Sequence, residues 1–198
     1  MIREQTNLIV LVLGGDNNYA CPMAVAIYSA LKNLDAAYTV DLYILDGGIS
    51  IKNKRHIEQI VEECNAGAGI NWKKIQHERL SGLSVKNPWL STSAYLRLWI
   101  PEIVPDAYSR AIYLDSDLIV KGCLSELWTE PFGDKALLAV RDCWIPYISS
   151  PEGVHDFAEI GIDAQRPYFN SGVLVFNLPR WREDSLSEVV LTYLRNNA

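Results

Sequence analysis

The sequence predicts an α/β fold in which a mostly parallel sheet carries helices on both faces. Short runs rich in Val, Ile and Leu recur along the chain, and several are apolar on both faces, as strands buried inside a parallel sheet are. Segments with the helical spacing of apolar residues lie between these runs. Strand–helix alternation of this kind is typical of an open α/β sheet.

Six segments have the composition of strands. The first, LIVLVL, is as long as a strand and far too short to span a membrane. The fourth, RAIYL, is expected near the centre of the sheet. The predicted strands cover residues 8–13, 39–45, 71–76, 110–114, 136–140 and 172–176.

Three longer segments are predicted to be helices. CPMAVAIYSALKNL (21–34) has a proline near its start and apolar residues on most sides, so we expect it to be well buried. SIKNKRHIEQIVEEC (50–64) carries its apolar residues on one stripe and should lie on the surface. SLSEVVLTYLRNN (185–197) begins with Ser185 and has Glu188 three residues later, which predicts a capping box.

Two further stretches show neither the alternation of a strand nor the helical spacing of apolar residues. Residues 81–105 and 143–167 are rich in Pro, Trp, Tyr and Ser. Long irregular connections usually carry function instead of core. We therefore expect binding residues in both.

The composition is that of one globular domain. The 198 residues, 49% of them hydrophobic and 21% charged, are enough for one α/β core and few for two. The net charge of −6 argues against nucleic acid as a partner, because no basic stripe is present. The four cysteines lack a CxxC pair, and the histidines lack metal-ligand spacing. With no apolar signal segment at the N-terminus, these features predict a cytoplasmic protein with reduced thiols and no transmembrane segment.

Two aspartates stand inside the apolar stretch AIYLDSDLIV. Side chains at i and i+2 of an extended chain share a face, so Asp115 and Asp117 would aim at one point, with Ser116 turned away. Two carboxylates this close ionise together only beside a cation. Mg²⁺ or Mn²⁺ is commonly held by one or two carboxylates plus substrate phosphates. The alternative is a plain turn at the end of a strand, since Asp and Ser favour turns.

Two other turns lie at the ends of apolar strands. GGDNNYA follows the first strand and serves as a tight turn without any ligand. A nucleoside would nevertheless find a ring in Tyr19 and short polar groups in Asp16 and Asn18. The GxGxxG dinucleotide fingerprint is absent. YFNSGVLVFNL places Asn170 and Gly172 at the mouth of the last strand.

Together these segments resemble glycosyltransferase family 8. GGDNNYA, VDLYILDGGIS, STSAYLRLWIPEIV, AIYLDSDLIV and YFNSGVLVFNLPRWR occur in that order over essentially the whole chain. The resemblance implies the GT-A fold, which has a Rossmann-like sheet, and a single nucleotide-sugar-binding domain over residues 1–198. It also implies a retaining glycosyltransferase that moves a hexose from a UDP-sugar to a glycan or lipopolysaccharide-type acceptor. Such an enzyme would be cytoplasmic and peripheral at the inner face of the membrane.

The resemblance assigns a donor site to this sequence. Asp115 and Asp117 match the family's DxD motif and would hold Mn²⁺ (or Mg²⁺) against the donor diphosphate. Asp16, Asn18 and Tyr19 match the uracil and ribose site. The residues assigned to donor binding are Gly15, Asp16, Asn18, Tyr19, Ser116 and Gly172.

It also implies three catalytic residues. Arg97 matches an arginine close to the donor sugar and phosphates, although taken alone it is typical of a surface arginine on a helix. Asn170 matches the asparagine of the family's FNxG motif, which faces sugar and acceptor; the alternative is a strand-entry turn. Asp142 matches a carboxylate that lines the donor-sugar or acceptor pocket. Trp144 and Tyr147 follow it and would suit a sugar face, although aromatic residues in such loops more often serve packing.

Two segments of the family are not found in this sequence. Members continue past the last helix to an Asp-Gln-Asp segment at the reaction centre. Beyond it they have a histidine, in a His-x-x-Gly-x-x-Lys-Pro-Trp stretch, that is the third protein ligand of the metal. We therefore expect a domain truncated at its C-terminal end, with weak Mn²⁺-dependent UDP-sugar binding and little or no transfer on its own.

Three other functions stay open at this point. A non-catalytic or weakly active sugar-nucleotide-binding fragment would have the same donor site. A phosphatase of the haloacid-dehalogenase type also carries DxD at a strand end, but usually on its first strand. A nucleotidyltransferase would share the sheet and the metal, but its Gly-rich basic phosphate loop is missing. The sequence identifies neither the sugar, nor the acceptor, nor the oligomeric state.

Overall fold

One six-stranded sheet forms the centre of the molecule. A computed structural model describes residues 7–64, 67–75, 79, 82–83 and 92–197. The strands are β1 (Leu8–Gly15), β2 (Thr39–Asp46), β3 (Gly69–Lys74), β4 (Arg110–Leu114), β5 (Leu137–Arg141) and β6 (Phe169–Asn177). Their spatial order is β3-β2-β1-β4-β6-β5.

The sheet is mostly parallel, as predicted. The pairs β1–β2, β1–β4 and β2–β3 are parallel, whereas β6 runs antiparallel to both of its neighbours, β4 and β5. All six predicted strands are present, with ends that differ by up to three residues. Residue 76, the last of the predicted third strand, lies outside the described residues.

Helices cover both faces of this sheet. They are α1 (Ala20–Lys32), α2 (Ile51–Cys64), α3 (Ile100–Ile103), α4 (Ser125–Thr129), α5 (Leu178–Glu183) and α6 (Leu186–Asn196), with 3-10 segments at Asn17–Tyr19 and Thr92–Trp99. The helices α1 and α2 pack on the face that includes Ile9, Leu11 and Leu13. The segment Thr92–Trp99, α3, α5 and α6 pack on the opposite face, which includes Val10 and Val12.

The strand β1 is buried from both sides. Residues Ile9, Val10, Leu11, Val12 and Leu13 are all 0% exposed. Because successive side chains of a strand point to opposite faces, a strand with both faces covered must be apolar at every position. The run LIVLVL therefore marks the sheet centre, and the two turns that follow β1 and β4 lie side by side.

The first helix is less buried than predicted. Eight of its residues are buried, but Val25 and Tyr28 are 48% and 47% exposed. The reason is that α1 packs on the sheet and on α2 through only part of its circumference. On the exposed face of α1, the Lys32 side chain partly covers Tyr28, since Lys32 Nζ lies 5.6 Å from the centre of the Tyr28 ring.

The predicted capping box at α6 is wrong. Ser185 has a left-handed backbone (φ 52°), and its side chain makes no capping hydrogen bond. Its carbonyl oxygen instead accepts the backbone N–H groups of Glu188 (3.1 Å) and Val189 (3.2 Å). A capping side chain reaches the first turn from an extended backbone. Here α5 ends only two residues earlier, and the sharp reversal requires the left-handed conformation.

The two connections predicted to be irregular differ from each other. In residues 81–105, the part from 92 to 103 is helical, because Leu96, Trp99 and Ile100 are buried against the sheet. Residues 81 and 84–91 lie outside the described residues. The connection 143–167 consists of turns and one bridge between Tyr147 and Pro167, as predicted. None of the helices in the described parts of the chain is long and apolar enough to cross a membrane.

Candidate active site

A cleft open to solvent, with a cavity volume of about 90 Å³, lies at the carboxyl ends of β1 and β4. In open α/β sheets this edge is the usual place for ligands. Six of the predicted site residues line it: Gly15, Tyr19, Arg97, Asp115, Ser116 and Asp117. The predicted carboxylate pair, the aromatic ring and the arginine are therefore brought together.

The carboxylate of Asp115 is held from two sides. Its Oδ1 accepts hydrogen bonds from Arg97 Nη2 (2.9 Å) and from the Tyr113 hydroxyl (2.7 Å). Burial raises the pKa of Tyr113, so that hydroxyl keeps its proton and remains a donor. In the part of the chain that the structure describes, no donor reaches Oδ2 of Asp115.

The DSD turn differs in one respect from the prediction. The extended strand ends at Leu114, and Ser116 and Asp117 already form a turn. Ser116 is 4% exposed, and its hydroxyl donates to the carbonyl oxygen of Gly14 (2.9 Å). The serine thus ties the turn after β4 to the end of β1. Both carboxylates still line one cleft, with Asp117 exposed at its surface.

Arg97 is not a surface arginine. Its side chain is 13% exposed, and the guanidinium lies 4.5 Å from the centre of the Tyr113 ring. Nε donates to the Ala94 carbonyl oxygen (2.8 Å), and Nη1 donates to the Ser171 carbonyl oxygen. One side chain therefore joins the 3-10 segment, β4 and β6 next to Asp115.

Gly172 allows β6 to approach the carboxylate. Its carbonyl oxygen accepts the backbone N–H of Asp115 (2.8 Å), and its N–H donates to Oδ1 of Asn170 (2.8 Å). A Cβ at this position would lie 2.9 Å from Asp115 Oδ2 and 2.9 Å from Asn170 Oδ1. A side chain here would have to displace the Asp115 or the Asn170 side-chain oxygen.

We expect Gly172→Ala to shift the Asp115 carboxylate and to weaken metal-dependent ligand binding. Overpacking of this kind typically costs about 1–3 kcal/mol of unfolding free energy. Gly122→Ala is the matched control, because a Cβ at Gly122 meets nothing within 4 Å. Urea unfolding and calorimetric titration of UDP with Mn²⁺ measure both effects. Equal UDP affinity in the two variants would contradict the assignment of this close contact.

Asp142 and Asn170 form a second polar pair, at the ends of β5 and β6. Asn170 Nδ2 donates to Asp142 Oδ2 (3.2 Å). Asp142 Oδ1 accepts the backbone N–H groups of Ile145 (2.9 Å) and Trp144 (2.8 Å). These two backbone hydrogen bonds lower the pKa of the Asp142 carboxyl. The group is therefore a carboxylate at neutral pH, which suits it to bind hydroxyl groups.

Aromatic residues stand close to that pair in the sequence. Trp144 is 89% exposed, and Phe169 and Tyr147 are about half as exposed. Tyr168 and Phe169 lie with their rings 6.3 Å apart and nearly parallel. Exposed aromatic surface beside a fixed carboxylate is typical of a binding face.

The turn after β1 carries the predicted nucleoside residues. In this β1–α1 turn (residues 16–19), Asp16 Oδ1 accepts the backbone N–H of Asn18 (2.8 Å), and Tyr19 lines the cleft. Gly15 lets the turn fold tightly, because a Cβ there would lie 3.2 Å from Tyr19 Cβ and 3.5 Å from Ser116 Oγ. Asn18 is exposed, next to Tyr19.

Sequence reasoning missed several residues that line or support the cleft. Tyr113 binds Asp115, and Ser93 and Ala94 line the cleft beside Arg97. Tyr113 lies in β4 two positions before Asp115, which directly follows the strand, so the alternation of side chains along the strand contained the signal. The contact between Arg97 and the Ser171 carbonyl oxygen joins positions 74 residues apart, and no local pattern indicates it.

Comparison with known proteins identifies the family. The sequence profile described as glycosyl transferase family 8 matches residues 10–198. This chain therefore belongs to glycosyltransferase family 8.

Two relatives illustrate the similarity. General stress protein A of Bacillus subtilis (strain 168) is 28% identical over 196 residues, which are 98% of this chain and 64% of that protein. A putative glycosyltransferase of Haemophilus influenzae is 25% identical over 184 residues, which are 93% of this chain and 53% of that protein. The chain thus spans about half to two thirds of the length of these relatives.

Solved structures have the same architecture. The galactosyltransferase LgtC, determined in complex with donor and acceptor sugar analogs, is 27% identical with a TM-score of 0.76, over 94% of this chain and 66% of LgtC. The bifunctional glycosyltransferase WbbM is 21% identical with a TM-score of 0.78, over 98% of this chain and 36% of WbbM, and shows the fold alone. The predicted GT-A fold is confirmed.

Proposed function

We propose that this chain is the donor-binding domain of a retaining glycosyltransferase, which moves a hexose from a UDP-sugar to a glycan or lipopolysaccharide-type acceptor. One observation carries the proposal. The carboxylates of Asp115 and Asp117, the Arg97 guanidinium and the Tyr19 ring line a single cleft at the carboxyl ends of β1 and β4. A nucleoside diphosphate would place its base against Tyr19 and its phosphates beside Arg97 and beside a divalent cation held by the two carboxylates.

The side chains present fit a divalent cation in part. Asp115 and Asp117 supply hard oxygen ligands, and Oδ2 of Asp115 has no donor among the described residues. Mg²⁺ and Mn²⁺ are commonly held by one or two carboxylates and complete their coordination with water and phosphate. No cluster of three or more His, Cys, Asp or Glu side chains suited to a metal exists within the described residues. The two aspartates would therefore hold Mn²⁺ together with the donor diphosphate.

A bound divalent metal supplies Lewis-acid stabilisation of the UDP leaving group. Arg97, fixed by its bonds to Asp115 and to the Ala94 carbonyl, adds a positive charge on the same side of the cleft. Tyr19 offers its ring to the uracil, and Asp16 and Asn18 offer polar groups to the base and ribose. Asn170 and Asp142 face the transferred sugar and the acceptor.

The test is calorimetric titration of UDP into the chain in the presence of Mn²⁺ and, separately, of EDTA. We expect binding with Mn²⁺ and a strong loss of affinity with EDTA. Equal affinity in both conditions would contradict the metal-dependent donor site. A transfer assay in the same preparation, with radiolabelled UDP-galactose and UDP-glucose, separates an active transferase from a sugar-nucleotide-binding fragment.

The acceptor is proposed to bind against Trp144. The Asp142 carboxylate fixes the Trp144 backbone and also binds Asn170. A sugar with one hydroxyl group bound to Asp142 would therefore have its ring near the Trp144 indole. The proposed compartment is the cytoplasm, with the enzyme peripheral at the inner face of the membrane when the acceptor is lipid-linked.

We expect Trp144→Ala to weaken acceptor binding while UDP affinity is unchanged. An aromatic contact contributes about 0.5–1.5 kcal/mol beyond area burial, which corresponds to a roughly 2- to 10-fold loss. Binding of fluorescently tagged protein to a glycan array, with UDP and Mn²⁺ present, measures acceptor binding. Tyr28→Ala is the matched control, since Tyr28 is an exposed aromatic residue on α1. Array signals that fall equally in both variants would contradict this acceptor face.

A further inference from the structure

One asparagine of the β1–α1 turn binds protein and not the cleft. Asn17 Oδ1 accepts hydrogen bonds from the backbone N–H of Ser50 (2.9 Å) and from Nδ2 of Asn53 (2.9 Å). Asn53 lies in the first turn of α2, and Ser50 immediately precedes that helix. A single amide oxygen therefore joins the β1–α1 turn to the β2–α2 loop (residues 47–50).

The β2–α2 loop is an anchored segment. Asp46, which is 5% exposed, accepts the backbone N–H groups of Gly48 (2.9 Å) and Ile49 (2.7 Å) and forms an ion pair with Lys54. Burial alone would raise the pKa of Asp46, but the hydrogen bonds from Lys54, Ile49 and Gly48 lower it. Lys54 Nζ also lies 5.0 Å from the centre of the Trp72 ring.

This loop also contacts the end of β1 directly. The backbone N–H of Gly47 donates to the Gly15 carbonyl oxygen (3.0 Å). A Cβ at Gly47 would lie 3.0 Å from that same oxygen and 3.1 Å from Ser93 Oγ. The loop therefore packs against the glycine and the serine that line the donor cleft.

The turn itself has little other support. Its 3-10 segment is three residues long, and Asn17, Asn18 and Tyr19 are all exposed. Within the turn, Asn18 N donates to Asp16 Oδ1 and Tyr19 N donates to the Asp16 carbonyl oxygen, and the Ala20 N–H at the start of α1 donates to the Asn17 carbonyl oxygen. Such local bonds define the shape of the turn but not its place relative to the cleft.

We infer that Asn17 is a positioning residue for the donor nucleoside. By fixing the β1–α1 turn to the anchored loop before α2, it holds Tyr19 and its neighbours where a base and ribose would bind. Asn17 itself does not contact the donor. The inference depends on the proposed function, because it takes the β1–α1 turn as the nucleoside site.

The chain offers a matched pair of variants for this inference. Asn17→Ala removes the accepting oxygen, whereas Asn17→Asp keeps an acceptor for both Ser50 N–H and Asn53 Nδ2. Hydrogen bonds of this kind are worth a few-fold to roughly tenfold each in an equilibrium constant. We expect UDP affinity with Mn²⁺ to fall roughly tenfold in Asn17→Ala and to be restored within roughly twofold in Asn17→Asp. Lys52→Ala, an exposed position on α2, is the control and should bind like wild type.

A second readout needs no ligand. Hydrogen–deuterium exchange of peptides from residues 14–20 should be faster in Asn17→Ala than in wild type and should return to the wild-type rate in Asn17→Asp. Peptides from β4 should be unchanged in all variants. Asn53→Ala should give part of the effect of Asn17→Ala, because it leaves the hydrogen bond from the Ser50 N–H to Asn17 Oδ1 in place. The double variant should match Asn17→Ala, because Asn17→Ala already removes both hydrogen bonds.

The outcomes separate the inference from the proposed function. If wild type binds UDP and Asn17→Ala binds it equally well, or if exchange of residues 14–20 is unaffected, the positioning role is overturned. The positioning role is also overturned if Asn17→Asp does not restore both the UDP affinity and the exchange rate. A wild-type protein that binds no UDP would overturn the proposed function, and with it the role of Asn17 toward a donor.

Discussion

Asp115→Asn is expected to abolish Mn²⁺-dependent UDP binding while leaving the fold intact. Asparagine has the size of aspartate, and its Oδ1 can still accept from Arg97 and Tyr113, but the ion pair with the 13% exposed Arg97 is lost, so the unfolding free energy should fall by about 1–3 kcal/mol. The metal, however, loses a charged ligand. Groups that only support a metal ligand are worth roughly 10- to 100-fold in affinity. A direct ligand should therefore cost at least roughly 100-fold.

Calorimetry with UDP and Mn²⁺ measures this loss, and urea unfolding measures the stability. Asp117→Asn should give a similar loss of affinity with a smaller change in stability, because Asp117 is exposed. Asp134→Asn is the matched control, since Asp134 is an exposed aspartate paired with Lys135 on the loop before β5. Unchanged UDP affinity in Asp115→Asn would contradict the assignment of this residue to the metal.

Arg97→Met is expected to lower both stability and donor affinity. The variant removes the hydrogen bonds to Asp115 and to the carbonyl oxygens of Ala94 and Ser171, together with the stacking on Tyr113. It also leaves the partly buried Asp115 carboxylate without its cation. Breaking a fully buried ion pair costs about 3–5 kcal/mol. Because Asp115 is 34% exposed, we expect Arg97→Met to lower the unfolding free energy by about 2–4 kcal/mol.

Urea unfolding at pH 7 tests this value. The matched control is Arg79→Met, which breaks the Arg79–Glu102 pair, whose side chains are 42% and 59% exposed. Exposed pairs contribute about 0–1 kcal/mol. Arg97→Lys should fall between wild type and Arg97→Met, because lysine keeps the charge but not the forked geometry. Equal losses of unfolding free energy in Arg97→Met and Arg79→Met would contradict the stabilising role given to the contacts of Arg97.

Local patterns were sufficient to predict the sheet. A strand covered on both faces must be apolar throughout, and LIVLVL and RAIYL satisfy that condition. The carboxylate pair was predictable for the complementary reason, since charges in an apolar run need a compensating partner. The short helices α3, α4 and α5, by contrast, have too few turns for a recognisable period.

The features that the sequence did not predict depend on contacts between distant segments. Ser185 followed by Glu188 has the pattern of a capping box, yet the left-handed backbone forced by the nearby end of α5 prevents it. The burial of Arg97 depends on Ser171 in β6 and on Asp115, which follows β4. Asn17 binds groups 33 and 36 residues away, so its role follows from the packing of two turns.

The most direct test of the donor site is a crystal of this chain grown with UDP and MnCl₂, with diffraction recorded at the manganese absorption edge. We expect an anomalous peak between the carboxylates of Asp115 and Asp117 and the diphosphate, with the uracil next to Tyr19. An anomalous map without a peak at that position, with UDP bound elsewhere or absent, would contradict the donor site.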